Sequence, residues 1–126
     1  MSFDWRHYFE LAEYMQTNAD SFPDAEACYR SVISRAYYAV YCLARNFVKN
    51  VDRQDFYSDD HQKVQNYLLQ HQDRMRKRVG NQLKTLRQHR NKADYDDTLD
   101  EHPFNKASRA LAQTRRILQN LNDLPQ

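Results

Sequence analysis

The feature that most restricts this chain is its shortage of turn chemistry: 126 residues contain one glycine and three prolines. Tight β-hairpins lean on Gly and Asn-Gly pairs for positive-φ positions, so a meander of short strands has nothing to turn on, which points to helices. A chain of 126 residues is most simply one domain, long enough to bury a core without metal or disulfide staples. Apolar residues at 40% and charged residues at 29% fit a globular protein. The mean hydropathy of −1.03 reflects abundant Gln, Asn, Arg and Asp rather than a lack of apolar side chains. The net charge of +2 predicts no general affinity for nucleic acid, so the distribution of charge matters more than its sum.

Cys28 and Cys42 are too few and too unpatterned for a disulfide framework or a zinc site, and both sit in an apolar segment where a thiol packs as a small hydrophobe. The opening "MSFDWRHYFE" has no apolar stretch of signal-peptide type, and no run approaches membrane-spanning length. A cytoplasmic protein with no membrane contact is the expectation.

Periodicity predicts four or five helices and no strand. The first covers Ser2 to Asn18, with Trp5, Tyr8, Leu11, Ala12 and Met15 on one face. After "DSFPD", with Ser21 or Asp20 as cap and Pro23 in the first turn, a second helix runs from Pro23 to Asn50. Val32, Ala36, Ala39, Val40, Leu43 and Phe47 form one stripe on it; Tyr29, Ile33, Tyr37 and Tyr41 form a neighbouring one. Two adjoining stripes mark a central helix with partners on more than one side. A third helix restarts at "SDDHQKVQNYLL", with Ser58 as cap and Asp59 and Asp60 in its first turn. A fourth spans Asp73 to Ala93 on Met75, Val79, Leu83 and Leu86, and includes Gly80 at an expected cost of about 1 kcal/mol. The last starts near "HPFNKAS" and carries Phe104, Ala107, Leu111, Leu118 and Leu121. With no repeat and no low-complexity linker, the expected fold is all-α, an up-and-down bundle of four to five helices.

Continuing the fourth stripe from Leu86 by four and three residues reaches Arg90 and Ala93, which aims a guanidinium at the apolar seam. Asp94, four residues further on, is placed to pair with it. Burial of an arginine is costly unless its donors are matched. Either the pair fixes register, or Arg90 lines a polar cleft and meets phosphate charge with its planar fork. The same helix holds Arg74, Arg76, Lys77, Arg78, Lys84, Arg87, Arg90 and Lys92 against Asp73 alone, a solvated face or a footprint for a phosphate backbone. The five histidines show no metal-ligand spacing, and no glycine-rich phosphate loop exists, so neither metal nor cofactor is expected.

Three segments, "SRAYYAVYCLARNFV", "SDDHQKVQNYLL" and "LRQHRNKADYDD", resemble the HEPN superfamily of small helical bundles. The likeness is to the prokaryotic branch that carries an S-R-A-Y-Y-A segment, a histidine opening a middle helix and a terminal A-D-Y-D. The resemblance implies a HEPN-like dimer in which motif helices of two subunits meet. It also implies a toxin–antitoxin or defence setting, with a nucleotidyltransferase-type antitoxin and RNA as expected partners. Many such proteins are metal-independent endoribonucleases that use an arginine, a polar residue after it and a histidine five positions on. Carried onto this chain, Arg90 takes the arginine's place and Asn91 the polar residue's, but Tyr95 stands where the histidine belongs. Tyrosine, with a pKa near 10, is a poor substitute for a group titrating near neutrality. Asp94 and His61 are then the remaining acid–base candidates, with Arg35, Arg87 and Tyr38 as binding residues. Two functions stand open: a ribonuclease with a composite dimer site around Arg90, or a non-catalytic HEPN module that binds a nucleotidyltransferase, RNA or nucleotide.

Overall fold

Five helices follow one another in the computed structural model, which describes residues 2–57 and 60–125. They are α1 Arg6–Thr17, α2 Ala25–Asn50, α3 His61–Gln70, α4 Arg74–Tyr95 and α5 Pro103–Asp123, with a 3-10 turn at Ala19–Ser21. No strand occurs among the described residues. The all-α bundle expected from periodicity is the fold.

The helix starts differ from the expected ones because carboxylates and one imidazole do the capping. Asp24, not Ser21 or Asp20, caps α2 by accepting from Ala27 N at 3.0 Å, which leaves Pro23 outside the helix. Asp60 caps α3 through Lys63 N at 3.1 Å, so it lies before the first turn rather than in it; Ser58 and Asp59 are outside the described residues. Asp73 caps α4 through Arg76 N, and His102 Nδ1 accepts from Phe104 N ahead of Pro103. Each such cap contributes about 1 kcal/mol. Helix α1 begins at Arg6 rather than Ser2, and α4 runs two residues past Ala93 to Tyr95.

Helix α2 is the spine, packed against α1, α4 and α5, while α3 lies mainly on α4. Its two stripes are both used: Val32, Ile33, Ala36, Tyr37, Ala39, Val40 and Tyr41 are buried. Each large side chain so removed from water contributes about 1.5–3 kcal/mol. The first helix departs from expectation at Leu11, which is 43% exposed while Phe9 is buried. The inward stripe of α1 runs through Trp5, Phe9 and Ala12, and Leu11 sits about 100° round the helix from Ala12. Phe104 is likewise 45% exposed and meets the edge of Tyr29 with ring centroids 5.6 Å apart.

Two contacts fix how α3 and α4 sit on the spine. A Cβ built at Gly80 would stand 2.9 Å from Leu69 N and 3.1 Å from Leu68 Cβ, so the glycine lets the end of α3 close on α4. That approach accounts for a glycine inside a helix. Gly80→Ala should therefore lose about 1–3 kcal/mol of stability rather than gain the roughly 1 kcal/mol that helix propensity alone grants. Urea denaturation measures it, and a stabilised variant would contradict this packing.

The second contact ties the segment after α2 to α4. Arg76 donates to Asp52 from Nη2 at 2.6 Å and from Nε at 2.8 Å, with Asp73 at 3.1 Å and the Tyr67 hydroxyl on Asp52 at 2.9 Å. Both partners are about nine-tenths buried. The Arg76 guanidinium and then the Tyr67 hydroxyl hold the Asp52 carboxyl below its ordinary range, against the opposing effect of burial. A carboxyl lowered on folding contributes stability that is fully present above about pH 4 and is lost as pH falls through the lowered value. Arg76→Ala should cost about 3–5 kcal/mol at neutral pH, because Asp52 is left buried without its counter-charge. Denaturation midpoints of the variant should approach those of the wild type as the solution is acidified; a constant gap down to acid pH would contradict the pairing.

Candidate functional site

Residues of all three family-like segments meet at one place, where α2, the start of α3 and the second half of α4 face each other. Spacing explains this: Ser34, Tyr37, Tyr38 and Tyr41 recur at three and four residues along α2, as do Arg87, Arg90 and Asp94 along α4. Arg90 is buried, 7% exposed, with its Cζ 5.1 Å from the Tyr37 ring centroid and 5.2 Å from that of Tyr38. Its Nη1 donates a long hydrogen bond to Asp94 Oδ2 at 3.4 Å, and Ser34 Oγ reaches the same oxygen at 3.4 Å. The buried Nε has no hydrogen-bond partner among the described residues.

His61, the first residue of α3, enters the same cluster. Its Nδ1 lies 2.5 Å from the Tyr37 hydroxyl, and its ring stacks on Tyr41 with centroids 3.8 Å apart and planes 17° apart. Tyr38 meets it edge-on at 5.7 Å. Arg87 closes the rim, with Nη1 bonded to Gln62 Oε1 at 3.1 Å. Burial pushes the Tyr37 hydroxyl well above the ordinary tyrosine range, partly opposed by the cations of Arg87 and Arg90. At neutral pH it is a phenol, able to donate or accept but not to act as a phenolate. Arg90 and Tyr37 are buried, whereas Asp94 reaches the surface and lines a depression with Arg30 and Tyr95.

The structure thus unites Arg90, Asp94, His61, Arg87 and Tyr38, and separates them from three other candidates. Asn91 and Tyr95 are exposed, Tyr95 to 76%, because they lie one and five residues past Arg90 and turn off its face. Arg35 lies over the Tyr8 ring at 5.1 Å, toward α1, and so takes no part in a network with Arg90.

Sequence reasoning missed Arg30. From α2 it donates to the carbonyls of Ala93 at 3.0 Å and Asp96 at 2.6 Å, and to that of Asp97 at 3.3 Å, while Glu26 holds its Nε at 2.9 Å. It therefore caps the C-terminus of α4 with a positive charge, which offsets the unfavourable position of Asp94, Asp96 and Asp97 near the negative end of the helix dipole. Its backbone acceptors lie more than sixty residues away and leave no trace in the sequence pattern. Arg30→Met should cost about 1.5–3 kcal/mol. It should also speed amide exchange in the last turn of α4 while leaving α1 protected, and unchanged exchange there would contradict the capping role.

Among the described residues no group of three or more His, Cys, Asp or Glu is arranged to hold a metal ion, and no helix is long and apolar enough to cross a membrane. No family model matches the chain, and no curated protein or solved structure matches it.

Proposed function

We propose that this chain is a HEPN-type helical module of toxin–antitoxin or defence type that works by binding RNA or a partner protein, not by cutting RNA. The observation that carries the reading is the burial of the Arg90 guanidinium. A guanidinium 7% exposed, set against the rings of Tyr37 and Tyr38 and tied to Asp94 within one chain, serves first as a polar register pin. The motif's other expected members do not join it: Asn91 and Tyr95 face solvent. Cleavage without metal needs a base for the 2′-hydroxyl and an acid for the leaving oxygen, both within hydrogen-bond reach of the phosphate that Arg90 would hold.

One observation favours the ribonuclease reading as the second choice. His61, the imidazole of this site, shares the Tyr37 hydroxyl and the Tyr38 ring with the Arg90 cluster. A second copy docked on this face would bring another set of such groups, including another Tyr95. In that assembly Arg90 would neutralise phosphate charge and His61 would move the proton.

Incubation of RNA pools with the purified protein in chelator separates the two readings. The expected result is intact RNA with both wild type and Arg90→Ala, together with a melting temperature lowered in the variant by several degrees, the response of a small domain to the loss of a few kcal/mol. Cleavage that disappears in both Arg90→Ala and His61→Ala would overturn the binding reading in favour of catalysis.

A further inference from the structure

We propose that the outer face of α4, with the groove it forms against α5, is a docking surface for the phosphate backbone of single-stranded RNA. The choice of RNA as the polymer rests on the functional reading above; the surface itself rests on charge segregation. Between Arg74 and Ala93, and again between Pro103 and Asn122, neither helix contains an aspartate or glutamate, yet together they hold twelve of the nineteen lysines and arginines of a chain whose net charge is only +2.

The fold spends part of this charge and leaves the rest outside. Arg76 is bound to Asp52, Arg90 to Asp94, and Lys92 and Lys106 to Asp100. Arg74, Lys77, Arg78 and Lys84 are exposed and form no ion pair among the described residues. Arg74 and Arg78 stand one turn apart, about 6 Å along the helix, and Lys77 and Lys84 repeat on the adjoining row two turns apart. Beside them runs a shallow groove of about 250 Å³ lined by Asn81, Gln82 and Thr85 of α4 and by Gln113 and Arg116 of α5. Gln113 Oε1 is buried there without a partner, and Asn120 Nδ2 orients Gln82 Oε1 at 2.9 Å. A floor of carboxamides and a hydroxyl offers hydrogen bonds to phosphate and ribose without a competing carboxylate. Further along the same helix pair, burial and then the cations of Lys106, Arg109 and Lys92 push the His89 imidazole below its ordinary pKa, in keeping with a positive local field.

The chemistry of the face selects a polyanion over a protein. The large hydrophobic side chains that the fold exposes, Phe3, Leu11, Tyr14, Phe22, Tyr57, Tyr95 and Phe104, all lie off this stretch of α4, whereas a protein interface wants an apolar or aromatic centre. Unpaired cations beside polar groups match a chain of phosphates read without regard to sequence.

Anisotropy titrations of a labelled uridine oligonucleotide across a salt series test the surface. Wild type should bind with an affinity that falls as salt rises. The variant Arg74→Gln, Lys77→Gln, Arg78→Gln, Lys84→Gln should bind at least tenfold more weakly at low salt, with the log–log salt slope reduced by about 2.8 for four lost phosphate contacts. A charge-matched variant, Arg6→Gln, Lys49→Gln, Arg53→Gln, Lys63→Gln, should stay within twofold of wild type, and circular dichroism melts should show both variants folded. Equal weakening by the two variants, no binding by wild type, or displacement of the RNA by polyglutamate at equal charge concentration would each overturn the surface. Running the titrated RNA on a gel reports on the functional reading separately, since cleaved RNA would overturn that reading and leave the surface standing.

Discussion

A guanidinium buried at the seam between α2 and α4 sets the condition that the rest of the site has to meet. Arg90 stands where the stripe of Val79, Leu83 and Leu86 would otherwise place another leucine, and a bare cation there costs several kcal/mol. The chain answers with two aromatic faces from the Y-Y pair of α2 and one carboxylate a turn further along α4. Each ring face against a desolvated cation contributes about 1–2 kcal/mol. The tyrosine that faces Arg90 also holds His61, so the same contact orients the start of α3. One buried charge thereby ties three helices into a single register.

Two other partly buried arginines, Arg76 and Arg30, are handled differently, and the contrast assigns their roles. Arg76 is saturated by two carboxylates and lies over the Phe47 ring at 5.1 Å, which is the pattern of a structural clamp. Arg30 spends its donors on backbone carbonyls and stops a helix. Arg90 alone among the three keeps a buried Nε unpartnered and a carboxylate at the long limit of hydrogen bonding. An under-satisfied buried cation stabilises less than a saturated one, and it specifies more. Chemistry on a substrate would require Arg90 to be uncovered or a second surface to complete the site.

Much of the fold was legible because helices announce themselves by spacing. The two stripes of α2 and the step from Leu86 to Arg90 and Ala93 are periodic, and all of these positions proved buried or partly buried. Helix starts were less legible: Asp20, Ser21 and Asp24 are all competent caps, and only packing chooses Asp24. Leu11 looked like core because hydrophobicity alone cannot say that the stripe of α1 passes through Phe9 instead. For the site, periodicity placed Arg90 and Asp94 together, and the family-like segments placed Tyr38 and His61 beside them. Arg35, expected among the binding residues, lies elsewhere because an arginine next to an apolar stripe can turn either way, and here the Tyr8 ring on α1 takes it. Arg30 and the fit of Gly80 against Leu69 depend on backbone atoms distant in sequence, which no local pattern encodes.

The register of this seam depends on the tyrosine faces holding the Arg90 cation, and a double-mutant cycle measures that coupling directly. Arg90→Met and Tyr38→Leu, alone and together, each followed by urea denaturation, isolate the pair's interaction from the cost of either change. The predicted coupling is about 1 kcal/mol in favour of the intact pair. Additivity within about 0.3 kcal/mol would contradict the claim that the ring keeps this arginine in place.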